Sequence, residues 1–210
     1  MAKILYVKGN PKASKDSKCL TMGEKFINEY KNIKPDDEII EVDLFNDAIV
    51  GLDKDLLYFI EHAKENMANE NVSQNTLDKV ERYNKTSEQF MEADKYIFST
   101  PLWNLALPDK VKTYIDAVCI AGKTFKYTAK GPIGLLQNKK CVHLHASGGF
   151  HSNESRNHGE PYLKDVMSFM GINDYKSIIA EGYAALPDQA DALIGKAYAQ
   201  IPAVAKWFAN

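Results

Sequence analysis

The stretch Ser99-Thr100-Pro101-Leu102-Trp103-Asn104-Leu105-Ala106-Leu107-Pro108 gathers groups suited to holding a flat ring. Pro101 and Pro108 fix φ and remove backbone donors, which stiffens the loop. Trp103 offers a broad apolar face, and Asn104 offers an amide to a heteroaromatic edge. The same residues also suit a Pro-bounded turn whose indole fills the core, because tryptophan is highly buried on average. Lys95-Tyr96-Ile97-Phe98 reads as a buried strand and Asp109–Asp116 as a helix. The loop therefore sits at the carboxyl end of a strand, where open α/β sheets collect their ligands.

A second candidate is the basic turn Lys8-Gly9-Asn10-Pro11-Lys12-Ala13-Ser14-Lys15-Asp16-Ser17-Lys18. It is neither G-x-G-x-x-G nor a Walker loop. It leads to a helix N-terminus, where backbone N–H groups and the helix dipole favour an anion. Ser14 and Ser17 add hydroxyls, and Lys12, Lys15 and Lys18 add charge. The turn suits one phosphate rather than a pyrophosphate; it also reads as an N-capped surface loop with solvated lysines.

A third candidate is Ala146-Ser147-Gly148-Gly149-Phe150-His151. Paired glycines after a strand allow a positive φ and close approach of backbone to ligand. Ser147 contributes a hydroxyl, and His151 is placed to donate a hydrogen bond or a proton beside a ring. Upstream, Cys141, His143 and His145 alternate along one strand face. A zinc reading lacks a fourth ligand at regular spacing. Buried, neutral, hydrogen-bonded side chains account for these residues, so no metal is expected. Gly122-Lys123-Thr124 resembles the end of a P-loop, but the required upstream glycine would fall at Ala117.

Five strands are predicted to carry these loops: Lys3–Lys8, Glu38–Leu44, Lys95–Thr100, Lys140–Ala146 and Tyr175–Ala180. Helical spacing covers Ser17–Tyr30, Pro108–Ala121, Pro161–Met170 and a terminal Asp188–Phe208 that bends near Pro202. The alternation predicts one α/β domain over 1–210 with a parallel sheet of flavodoxin-like order 2-1-3-4-5, covered on both faces. The polar segment from Phe45 to Asp94 is longer than a crossover needs. It reads as two extra helices, Lys54–Asn66 and Ser73–Glu92.

The net charge of −2 argues against a nucleic-acid partner. No apolar run is long enough to span a bilayer, so no membrane partner is expected. Three separated cysteines form no C-x-x-C and suit a reducing cytoplasm.

The chain resembles the FMN-dependent NADH-azoreductase family, a branch of the flavodoxin-like NAD(P)H:quinone oxidoreductases. Pro101-Leu102-Trp103-Asn104-Leu105 is similar to the family's Pro-Met-[Tyr/Trp]-Asn-Phe pattern. Ala121-Gly122-Lys123-Thr124-Phe125-Lys126-Tyr127-Thr128, followed by Gly131-Pro132-Ile133-Gly134-Leu135, matches A-G-x-T-F-x-Y-T…G-P-x-G-L. Gly148-Gly149 and Glu160-Pro161-Tyr162-Leu163 also fit.

The resemblance implies FMN as cofactor, NADH or NADPH as electron donor, and quinones and azo compounds as substrates. By the same resemblance Asn10, Lys15, Asp16 and Ser17 would surround the FMN phosphate and ribityl chain. Pro101, Leu102, Trp103, Asn104 and Leu105 would line the isoalloxazine, and Ala146, Ser147, Gly148 and Gly149 its pyrimidine edge. Phe125, Tyr127 and Phe169 would border the substrate, some of them from the partner in a homodimer. His151 and Tyr127 are the candidates for proton delivery or substrate orientation. Apolar Phe125, Tyr127, Leu135 and Phe150, in segments read as irregular, also point to a homodimer. The rival from another class is a flavodoxin-type electron carrier, but carriers are typically acidic, unlike this Lys-rich turn.

Overall fold

The computed structural model describes residues 1–62 and 72–210. Its strands are β1 Lys3–Lys8, β2 Glu38–Asp43, β3 Lys95–Pro101, β4 Phe125–Thr128, β5 Gly131–Gly134, β6 Lys140–Ser147 and β7 Asp174–Glu181. The described helices, numbered in chain order, are α1 Lys18–Ile33, α2 Lys54–Glu61, α3 Gln74–Glu92, α4 Asp109–Val118, α5 Glu160–Phe169, α6 Ala190–Tyr198 and α7 Ile201–Ala209.

Five strands form one parallel sheet in the order β2-β1-β3-β6-β7. This is the predicted 2-1-3-4-5 order once the β4–β5 hairpin is set aside. Successive side chains on a strand face opposite ways, so each inner strand feeds two cores. Leu5, Val7, Tyr96 and Phe98 pack with Phe90 of α3, Tyr114 of α4 and Met167 of α5. Ile4, Tyr6, Ile97 and Leu144 pack with Phe26 of α1, Ala197 of α6 and Phe208 of α7. β1, β3 and β6 are central and almost wholly buried, which their unbroken apolar runs require.

Side chains set the helix starts. Ser17 caps α1 by accepting from Leu20 N, Asp53 caps α2 and Ser73 caps α3. Pro161 lies in the first turn of α5, where its missing N–H costs nothing. The last carbonyls of α7 accept from Lys95 and Lys140, two lysines at the starts of β3 and β6. Positive charge there also complements the negative end of the helix dipole.

Three expectations change. The predicted terminal helix is two helices, α6 and α7, separated at Ala199-Gln200. Pro202 stands in the first turn of α7 rather than at a bend within one helix. The predicted Lys54–Asn66 helix is seen as α2, ending at Glu61, and the rest of that expectation lies outside the described residues. Phe125–Gly134, read as irregular, is the antiparallel hairpin β4–β5.

Candidate functional site

The loops after β1, β3 and β6 meet at the carboxyl edge of the sheet, where strand order reverses about β1 and β3. Backbone bonds hold them together. Gly9 N donates to Ser99 O at 2.9 Å, and Leu102 N donates to Ala146 O at 2.8 Å.

In the first loop Ser14–Asp16 forms a short 3₁₀ helix and Ser17 starts α1. Asn10 and Ser17 are buried, and Asn10 Nδ2 donates to Ser17 Oγ at 3.0 Å. These two side chains shape the turn. Among the described residues nothing accepts from the N–H groups of Lys18 and Cys19 at the start of α1. Lys12, Lys15, Asp16 and Lys18 are exposed beside them. Free N–H groups at a helix N-terminus with three lysines fit a single phosphate group.

Gly9 has a role that sequence reading missed. A Cβ there would lie 2.6 Å from Val111 Cγ2 and 3.0 Å from Thr100 Cγ2. Only glycine lets the first loop press against β3 and α4. The signal available was a glycine directly after an apolar strand.

The second loop is a tight reversal. Trp103 N donates to Ala106 O at 2.9 Å and Ala106 N to Trp103 O at 3.0 Å. The residues between, Asn104 and Leu105, have φ of 49° and 68°. Two successive positive φ values define a type I′ turn, which favours Asn-Gly. Here leucine occupies the second position and carries the strain of the left-handed region. His158 N donates to Leu105 O at 2.8 Å and helps hold the turn. Trp103 is 39% exposed, so it does not fill the core. Its indole meets Phe45, from the loop after β2, edge-on with centroids 6.2 Å apart. Phe45 is a second missed residue; it directly follows the predicted second strand.

This strain predicts that Leu105→Gly leaves the thermal midpoint of the cofactor-free protein unchanged or higher. The loss of a half-buried leucine is offset by relief of about 1 kcal/mol of backbone strain. A clear drop in the midpoint would show that the side chain matters more than the turn.

The third loop corrects one expectation. Neither Gly148 nor Gly149 has a positive φ. Glycine is needed for space instead: a Cβ on Gly149 would sit 2.8 Å from His151 Nε2, and one on Gly148 3.0 Å from Ala184 Cβ. Ala146 and Ser147 are buried. Ser147 Oγ donates to Gly149 O at 2.9 Å, so its hydroxyl shapes the turn.

The predicted histidines separate into two groups. His143 and His145 are buried in β6. Thr100 Oγ1 lies 2.7 Å from His143 Nε2 and 3.2 Å from His145 Nδ1. Tyr175 OH lies 2.9 Å from His143 Nδ1. Burial, then the neighbouring His145, pushes His143 well below the usual histidine range. Burial brings His145 down to about 4. Both rings are neutral at pH 7. His151 stays at the rim, 26% exposed, with its Nδ1 3.1 Å from Glu154 Oε2.

The Gly122-Lys123-Thr124 stretch is structural. Thr124 Oγ1 donates to Val118 O at 2.9 Å and accepts from Ile120 N at the same distance, closing the turn after α4. Lys123 Nζ donates to Asn84 Oδ1 and Ser87 Oγ on α3.

Phe125, Tyr127 and Phe169 do come together. Phe125 lies 4.5 Å from Phe169 and 5.5 Å from Tyr127 between ring centroids. Tyr127 is 74% exposed, and Ile133, Leu135 and Phe169 are exposed beside the same hairpin. This cluster is nevertheless remote from the three loops. At the start of α5 a Cβ on Gly159 would lie 2.7 Å from Leu102 Cδ1 and 3.0 Å from His145 Cε1, whereas Phe169 closes the far end of the helix. Ten helical residues separate the two ends by about 15 Å. One chain therefore holds the expected ring-binding loops and the expected substrate aromatics apart, and likewise His151 and Tyr127. A cleft of about 630 Å³ between β2 and α3, lined by Ile40, Ile49, Arg82 and Gln89 among others, contains none of the expected site residues.

A parallel sheet of this order, with its loops gathered at the switch point beside its first and third strands, defines the flavodoxin-like class. The family model described as a flavodoxin-like fold matches residues 2–204. An FMN-dependent NADH:quinone oxidoreductase of Geotalea uraniireducens is 44% identical over 99% of this chain and 100% of the relative. One of Trichlorobacter lovleyi is 42% identical over 95% and 96%. An FMN-dependent NADH-azoreductase of Bacillus anthracis, solved in complex with FMN, superposes with a TM-score of 0.92 at 29% identity, covering 100% of each chain. The chain belongs to the flavodoxin-like family, in its branch of FMN-dependent NADH:quinone oxidoreductases and azoreductases.

Proposed function

We propose that this protein is an FMN-dependent NADH:quinone oxidoreductase that also reduces azo compounds. Full-length identity of 44% to a relative of that name is the observation that carries the reading. FMN, when bound, supplies hydride transfer between a reduced nicotinamide and the acceptor.

The chain's own residues bind and orient. The N–H groups opening α1, together with Ser14, Lys12, Lys15 and Lys18, hold the phosphate, and Asn10, Asp16 and Ser17 frame it. The turn Pro101–Leu105, backed by Phe45, provides the flat wall. Ala146–Gly149 provide the polar edge, with His151 beside them for proton delivery.

The partner copy completes the pocket. The exposed Tyr127, Ile133, Leu135 and Phe169 form an apolar patch about 15 Å from the chain's own loops, and twofold pairing would bring it over the other chain's cleft. Phe125, Tyr127 and Phe169 then border the substrate in trans. The whole function rests on one domain, 1–210. Three free thiols suit a reducing cytoplasm, where the nicotinamide donor is available.

The purified protein is expected to be yellow and to release FMN, not FAD, on denaturation. NADH alone should bleach the flavin under anaerobic conditions. Double-reciprocal plots at several fixed benzoquinone concentrations should be parallel, because one slot serves both planar partners in turn. Recovery of FAD, or intersecting lines without bleaching in the absence of quinone, would overturn the reading.

A further inference from the structure

His151 is held by more groups than a rim histidine needs. Its backbone N–H donates to Glu181 Oε2 at 2.8 Å, and Ser152 N donates to the same oxygen at 2.9 Å. Asn157 Nδ2 donates to His151 O at 3.3 Å. With the backbone fixed, the ring has one polar partner among the described residues: Nδ1 lies 3.1 Å from Glu154 Oε2. Glu154 is itself fixed, since its N–H donates to His151 O and its carboxylate accepts from Arg156 Nη2 at 3.4 Å. The other ring nitrogen, Nε2, is 2.8 Å from where a Gly149 Cβ would be, so the ring lies over the Gly148-Gly149 turn.

An ionised carboxylate only accepts hydrogen bonds, so Nδ1 carries the proton in neutral His151 and Nε2 is bare. We propose that Glu154 is a positioning residue. It locks His151 in the Nδ1–H tautomer and presents a bare Nε2 to the acceptor's side of the site. The proposal rests on the quinone reductase reading above.

The reaction gives Nε2 a task. Two-electron reduction of a quinone by NADH consumes one proton besides the hydride. Hydride addition leaves one oxygen of the acceptor negative. Nε2 takes a proton from solvent, and Glu154 stabilises the resulting imidazolium. The Nε2–H bond then breaks as the O–H bond of the hydroquinone forms, and His151 returns to its starting tautomer. The charged and titratable groups around His151 are Glu154, which bonds its ring, Arg156, which bonds Glu154, Glu181 at the end of β7, which accepts from its backbone N–H, and neutral His145 of β6. Among the described residues only Glu154 bonds to an imidazole nitrogen of His151.

Nitrogen-15 NMR of histidine-labelled protein, with and without FMN, reads the tautomer directly. Wild-type His151 should be Nδ1–H. Glu154→Leu should revert to the Nε2–H form that unconstrained imidazole prefers. Glu154→Gln keeps an acceptor at the same place and should keep the wild-type tautomer. In stopped flow, Glu154→Leu should leave bleaching by NADH within twofold of wild type and slow reoxidation by benzoquinone about tenfold. An Nε2–H tautomer in the wild type, or unchanged reoxidation in Glu154→Leu, would overturn the proposal. Failure of the wild type to bleach with NADH would instead overturn the quinone reductase reading, while the NMR result would still judge the dyad.

Discussion

Gly134→Ala should destabilise the fold by about 3 kcal/mol, near the upper end for overpacking. A Cβ at Gly134 would lie 2.1 Å from Gly171 N and 2.3 Å from Met170 C. Both are backbone atoms, so no side-chain rotation relieves the clash. The surrounding bonds leave little room to retreat: Leu135 N donates to Thr124 O and Leu136 N to Met170 O, both at 2.9 Å. Either the hairpin leaves the end of α5 or the strain is carried by the whole fold. Gly195→Ala is the matching control. It lies within α6 with none of the described residues inside 4 Å of its new Cβ, and it should stabilise by up to about 1 kcal/mol. Urea denaturation measures both. Equal stability of Gly134→Ala and wild type would mean that β5 does not pack on α5 as described.

Stability should fall steeply between pH 6.5 and pH 4 because of His145. Its folded value is lowered to about 4, so as pH falls the unfolded chain takes up a proton that the folded chain refuses. The contribution is fully present above pH 6.5, is lost as pH falls toward 4, and is constant below. Two and a half units correspond to about 3 kcal/mol. His143 shifts in the same direction and steepens the slope. In His145→Gln, the difference in unfolding free energy between pH 6.5 and pH 4 should shrink by about that amount. Parallel pH profiles for the two proteins would show that His145 is not the group responsible.

The sheet and its functional edge were legible because β1, β3 and β6 announce themselves as apolar runs ending in Gly, Pro or Gly-Gly. Those same ends carry Asn10, Trp103 and Gly149. The hairpin was not legible, since Gly131, Pro132 and Gly134 are poor strand residues and only pairing across the turn and packing on Met170 make Gly131–Gly134 a strand. Packing also hid the reason for glycine at position 149. From the sequence it suggested an unusual φ, but the structure shows that the neighbouring imidazole takes up the space. Gly9 and Phe45 escaped notice because their significance depends on Val111, Thr100 and Trp103, which are distant in sequence. The left-handed Leu105 violates the local preference for glycine, and such violations concentrate where a loop is shaped for a ligand rather than for its own comfort.

The separation along α5 has a consequence for inheritance. In the proposed twofold pair each pocket would be built from one chain's loops and the other chain's aromatic hairpin. A defect at His151 and a defect at Tyr127 would each spoil both pockets of a pure mutant dimer. In a mixed pair, one pocket would collect both lesions and the other would collect neither. Two alleles that are each inactive alone would therefore complement each other within a single cell, with one intact pocket per mixed pair.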